Sequence, residues 1–109
     1  MNAEEEIERI RGIYPDAVAL LEGGQAFVHL PKIVIATAGG SVEREALLCP
    51  HAHSGYQTRL FLDSQVPGSL ANWTGHTLFT RKWFTWSWNY ITANQPWTAI
   101  LANHLAAFR

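Results

Sequence analysis

The sequence predicts a single α+β domain, with a helix first, an antiparallel four-stranded meander, a long loop and a closing helix. Three observations predict it. Glu4, Glu5 and Glu6 followed by Arg9 and Arg11 match the polarity of a helix dipole, short apolar runs separated by Gly-Gly pairs mark strands and turns, and the last dozen residues carry one apolar stripe of helical period. The 109 residues suffice for one hydrophobic core and leave little room for a second.

Asn2 is placed to cap a helix over Ala3 to Arg11, with Ile7 and Ile10 facing inward. Tyr14-Pro15-Asp16 ends that helix. Ala17 to Glu22 reads as the first strand, closed by Gly23-Gly24, a dipeptide that tolerates the positive φ of a hairpin turn, and Gln25 to Leu30 returns as its partner. Pro31 has no N–H to give to a ladder, so Lys32 to Thr37 reads either as a bulged continuation or as a separate strand. After Gly39-Gly40, Val42 to Cys49 is the third strand and Thr58 to Leu62 the fourth, with Pro50 to Gly55 irregular between them. Asp63 to Thr77, with Pro67 and small polar residues, is expected to be an extended loop, and Leu78 to Tyr90 is aromatic-rich without a clear period. From Trp97 to Phe108, Trp97, Ile100, Leu101, His104, Leu105 and Phe108 form one stripe of an α-helix opened by Pro96. The expected core is Ile7, Leu20, Val28, Leu47, Leu60, Ile100, Leu101 and Leu105.

Hydrophobic residues make up 48% of the chain and charged residues 16%, with a net charge of −1, which is globular composition rather than that of a disordered segment. No basic excess is present to neutralise phosphates, so neither nucleic acid nor a membrane surface is an expected partner. The longest apolar runs fall far short of the roughly 20 residues that span a bilayer. A lone cysteine, Cys49, excludes an internal disulfide, and the opening MNAEEEIERI lacks the basic end and apolar stretch of a signal peptide, so a cytoplasmic location is expected.

Four segments carry a resemblance to a known family: LLCP at Leu47 to Pro50, Gly55-Tyr56, RKWFTWSWN at Arg81 to Asn89, and QPWTAILANHL at Gln95 to Leu105. In this order they resemble the ubiquitin-conjugating superfamily, and within it the prokaryotic family E, over most of the chain from Ile7 onward. The resemblance implies a ubiquitin-conjugating-like fold with an active-site loop before the last helix. It also implies a bacterial enzyme, without cofactors, that accepts a ubiquitin-like modifier from an activating enzyme and passes it to a target protein, a role compatible with antiphage defence. Two departures matter. The chain has no His-Pro-Asn tripeptide and no cysteine in its last sixty residues, so a thioester at the usual position is not available.

Counting back from Trp97, the position of the superfamily's catalytic cysteine falls at Trp86-Ser87-Trp88, so the resemblance assigns the nucleophile to Ser87 and the covalent link to an oxyester. A hydroxyl is a weak nucleophile and needs a base; His76 is the nearest histidine in sequence. Asn89 is the expected donor to a developing oxyanion. Plainer readings stand beside these. Ser87 is also a small residue that lets Trp86 and Trp88 pack, and Asn89 also suits the closing of a turn. Trp83, Trp86 and Trp88 form an indole set suited either to the core or to docking a partner. His104, on the apolar stripe, reads as a hydrogen-bonded core histidine.

Two other functions compete. One is a catalytically inactive adaptor that binds the activating enzyme or the modifier without a covalent bond. The other is a small metal-binding β-rich protein, because Cys49, His51 and His53 alternate as residues on one side of an extended chain do; lacking a fourth ligand, they are expected to bind no metal.

Overall fold

A computed structural model of the chain describes residues 2–68, 70, 72–88 and 91–108. Its first element, α1 (Ala3–Arg11), begins where the Asn2 side chain accepts a hydrogen bond from the Glu5 amide at 2.9 Å, and it buries Glu6, Ile7 and Ile10. β1 (Val18–Glu22) turns at Gly23 and Gly24, with φ of +60° and +79°, into β2 (Gln25–Thr37). Two consecutive positive φ angles are the geometry of a two-residue hairpin, which glycine adopts without the Cβ clash. β3 (Gly40–Cys49) and β4 (Arg59–Leu62) come next.

Pro31 leaves β2 a single strand. Leu30 pairs with Ala46 and Ile33 with Arg44, so β2 spends three residues where β3 spends two, a bulge of one residue. The extra residue changes the parity of the strand, and Val28, Leu30, Ile33 and Ile35 all stay buried in one cluster. Without it, Ile33 and Ile35 would turn to the opposite face.

The ubiquitin-conjugating-like α+β arrangement with a four-stranded meander is corrected by the path of the chain beyond β4. Among the described residues the sheet has six antiparallel strands, in the order β1-β2-β3-β4-β6-β5, beside two short helices. The two additional strands, β5 (Thr74–Leu78) and β6 (Arg81–Thr85), occupy the end of the expected loop and the start of the aperiodic stretch. β6 lies beside β4, and β5 forms the outer edge. Their connecting turn is Phe79-Thr80, at φ of +51° and +62°. These residue types carry no turn signature, which is why the hairpin is not evident from composition. The strained pair is held from outside: the Phe79 amide donates to Glu22 Oε1 at 2.9 Å, and the Phe79 ring meets Phe27 edge-on at 5.5 Å.

α2 (Trp97–Ala106) closes the chain. Pro96 gives it no side-chain cap; instead Glu6 of α1 accepts from the Trp97 amide at 3.1 Å, bringing a carboxylate to the positive end of the helix. One face of the sheet packs through Val28, Leu48, Leu60 and Leu62 against Ile7, Ile10, Ile100, Leu101 and Phe108. The opposite face carries a smaller cluster of Phe27, Leu47, Cys49, Phe61, Leu78 and Trp83. Of the expected core, Ile7, Val28, Leu47, Leu60, Ile100 and Leu101 are buried, whereas Leu20 and Leu105 are half-buried at the margins. Among the described residues no helix is long and apolar enough to cross a membrane.

Candidate functional site

The segment between β3 and β4 folds as a flap. Its tip is a tight turn, with Ser54 and Gly55 at φ of +53° and +85° and with His53 and Tyr56 exchanging both backbone hydrogen bonds, at 2.9 and 3.0 Å. His51 ties the base of the flap to β2, its Nε2 lying 2.8 Å from the Ala26 carbonyl. Tyr56 thereby reaches the segment after β6. Its hydroxyl donates to Ser87 Oγ at 3.0 Å.

Ser87 is exposed, and the described residues Trp86 before it and Ile91 after it are both buried. On one side Trp86 is buried between Trp73 and Phe108, with ring centroids 5.3 and 4.8 Å away. On the other, Ile91 is buried and its carbonyl accepts from Thr58 Oγ1 at 2.8 Å. The Thr58 oxygen also lies 2.9 Å from His104 Nε2. Since the hydroxyl proton is committed to Ile91, His104 must be the donor, which assigns the Nε2–H tautomer and leaves Nδ1 unprotonated, buried and without a partner. Burial holds this imidazole down to about 4, with the charge of Arg59 adding to the effect. His104 is a neutral structural group that binds the flap base, the Ser87 loop and α2 together.

His76 has other partners. Its Nε2 lies 3.1 Å from Thr74 Oγ1, and its ring meets Phe61 at 5.5 Å and His53 at 5.8 Å, on the sheet face opposite the helices. Burial makes His53 and His76 less basic than an ordinary imidazole; for His53 the charge of His76 and then of Arg59 comes second, for His76 that of Arg59. Asn89 lies outside the described residues. Of the indoles, Trp83 and Trp86 are buried at 1% and 2% exposure and cannot touch a partner while the chain is folded, whereas Trp88, beside Ser87, is 40% exposed. The group that positional reasoning missed as a site residue is Tyr56, present in the Gly55-Tyr56 pair but 31 residues from the serine it touches.

The flap cysteine is a poor nucleophile. Cys49 is fully buried, its thiol donates to the His51 carbonyl at 3.3 Å, and burial pushes its pKa up to about 11, so it stays protonated at neutral pH. Its Sγ lies 3.4 Å from His51 Nδ1, while His53 turns away to stand edge-on to Phe61 at 5.2 Å. Among the described residues no three or more His, Cys, Asp or Glu side chains are grouped to hold a metal ion. In comparisons with known proteins, no family model, no curated protein and no solved structure matches the chain.

Proposed function

We propose that the chain accepts the acyl group of a ubiquitin-like modifier on Ser87, as an oxyester delivered by an activating enzyme, and passes it to an amine or hydroxyl of a target protein. The observation that carries this reading is the hydroxyl of an exposed serine, next to the buried Trp86, held by the Tyr56 phenol at 3.0 Å. The exposed Trp88 beside it offers an indole surface to the incoming protein. In the acceptance step Ser87 Oγ bonds to the carbonyl carbon of a thioester, the carbon–sulfur bond breaks, and the serine proton ends on the departing thiolate. Because Tyr56 donates to Oγ, the serine's own proton remains free for that transfer, and the phenol fixes the direction of the lone pair that attacks. Tyr56 takes the place beside the serine that sequence reasoning assigns to His76. A cytoplasmic setting, with no nucleic acid and no membrane as partner, belongs to the same proposal.

A non-covalent adaptor is the second reading, favoured by one fact: among the described residues no imidazole or carboxylate is hydrogen-bonded to Ser87 as a base. Mass spectrometry separates the two after incubation with activating enzyme, modifier and ATP. Wild-type chain is expected to gain one modifier through a link that hydroxide cleaves and mild thiol does not. Ser87→Ala should abolish it, and Ser87→Cys should restore an adduct that thiol now cleaves. Tyr56→Phe should slow its formation by roughly tenfold or more. A stoichiometric complex without any covalent mass shift would establish the adaptor. An adduct surviving Ser87→Ala but lost in Cys49→Ala would move the nucleophile to the flap.

A further inference from the structure

Arg59, the first residue of β4, is only 5% exposed, and its Nε is buried with no hydrogen-bond partner among the described residues. The ion pairs among the described residues use Glu8 with Arg11, Glu43 with Lys32, and Glu45 with His29 and Arg81. None includes Arg59. Arg81 makes the contrast, because that guanidinium meets Glu45 through two hydrogen bonds of 2.8 and 2.9 Å and holds the carboxylate down to about 2. Arg59 instead lies against the Tyr56 ring, its guanidinium carbon 3.9 Å from the ring centre. Glu22, whose charge is felt by His53, spends an oxygen on the Phe79 amide.

A guanidinium drawn largely out of water, with no ion-pair partner among the described residues, is costly, and an uncharged side chain of similar length could pack on a phenol more cheaply. The cost shows in Arg59 itself, since burial makes its guanidinium less basic than usual. The neighbour of Arg59 decides what the charge can do at this position. The phenol stacked on Arg59 is the one whose hydroxyl contacts Ser87 Oγ, and acyl transfer to a serine builds negative charge on the oxygens around the attacked carbonyl.

We propose that Arg59 is a positioning residue for Ser87: through the stacked Tyr56 it fixes the phenol against the serine and holds a largely buried positive charge on the phenol that touches the reacting oxygen. The proposal rests on Ser87 as acyl acceptor, though not on the modifier being the acyl donor. A fixed charge in a water-poor setting acts more strongly than the same charge in solvent and needs no reorganisation as the reaction proceeds.

The test uses p-nitrophenyl acetate as donor, with the acetylated residue located by peptide mass spectrometry, in wild type, Arg59→Lys, Arg59→Gln and Tyr56→Phe. Arg59→Gln should lower the limiting rate of Ser87 acetylation about 100-fold with little change in half-saturation, and Arg59→Lys by about tenfold or less. Combining Arg59→Gln with Tyr56→Phe should be no slower than the worse single change, since one acts through the other. A second readout has the sign that a packing role would reverse: Arg59→Gln should melt no lower than wild type, because it removes an unpaired buried charge. Wild-type rates in Arg59→Gln, equal losses in the Lys and Gln variants together with lowered melting, or no acetylation of Ser87 in the wild type would each overturn the proposal. Arg59-dependent acetylation in a chain that never takes up the modifier would retain it and sink the modifier reading alone.

Discussion

His104 shows how one residue sets the acid limit of the fold. Unfolded, its imidazole takes up a proton near 6.5; folded, with Nδ1 buried and unpartnered, it does so only near 4. Between these values the unfolded chain binds more protons, so stability rises with pH, is complete above 6.5 and is lost as pH falls from 6.5 to 4. His53 and His76, shifted the same way, add to that slope. For His104 alone the loss between pH 7 and pH 5 amounts to about 2 kcal/mol. Urea titrations at the two pH values should therefore show a smaller gap in His104→Gln, whose side-chain amide can still donate to Thr58, than in wild type. Equal gaps would mean that the buried nitrogen is not the titrating group. The sequence position of His104 on an apolar stripe made its buried role legible, but its partner Thr58 lies 46 residues away and no spacing announces it.

At the level of elements, the two helices were legible and the last hairpin was not. α1 shows its cap and its charge polarity in nine residues, and α2 shows its apolar stripe. β5 reads Thr-Gly-His-Thr-Leu, with little hydrophobic alternation, because it is an edge strand with polar side chains on its open side. Its turn gives no signal either, since Phe79 and Thr80 adopt conformations that glycine or asparagine would favour. A β-branched residue in the left-handed region costs about 1–2 kcal/mol, part of which glycine would return through its freer unfolded state. Thr80→Gly should raise stability in urea by roughly 0.5 kcal/mol or more. Phe79→Gly should instead lower it, since the relief at φ +51° is outweighed by loss of the ring contact with Phe27. If both glycines stabilise, the turn is carrying strain without compensation from packing.

Across the whole molecule, a single sheet supports two unequal apolar layers. Leu60 and Phe61 are neighbours on β4, yet Leu60 belongs to the layer beneath the helices and Phe61 to the layer beneath the flap. Leu60→Ala should cost about 2–5 kcal/mol and Phe61→Ala about 3–5 kcal/mol. Because both layers hang on the same strands, each variant should unfold in one transition, with tryptophan fluorescence and far-ultraviolet dichroism coincident; separated curves would show that the flap layer melts independently. The candidate site shares this organisation and was legible only in part. Ser87 was reached by resemblance, but Tyr56, which touches it, comes from the flap, and Arg59, which stacks on Tyr56, comes from β4, so no spacing in the sequence announces either. The burial of the lone thiol under that same flap has a practical outcome. Since the Cys49 thiol donates to the His51 carbonyl, lifting of the Pro50–Gln57 segment should uncover it, and the rate of mixed-disulfide formation is expected to report the openings of the segment that carries Tyr56. Acyl-loading of Ser87, if it keeps Tyr56 engaged, would then be visible as a slower exchange at a sulfur atom that takes no part in the chemistry.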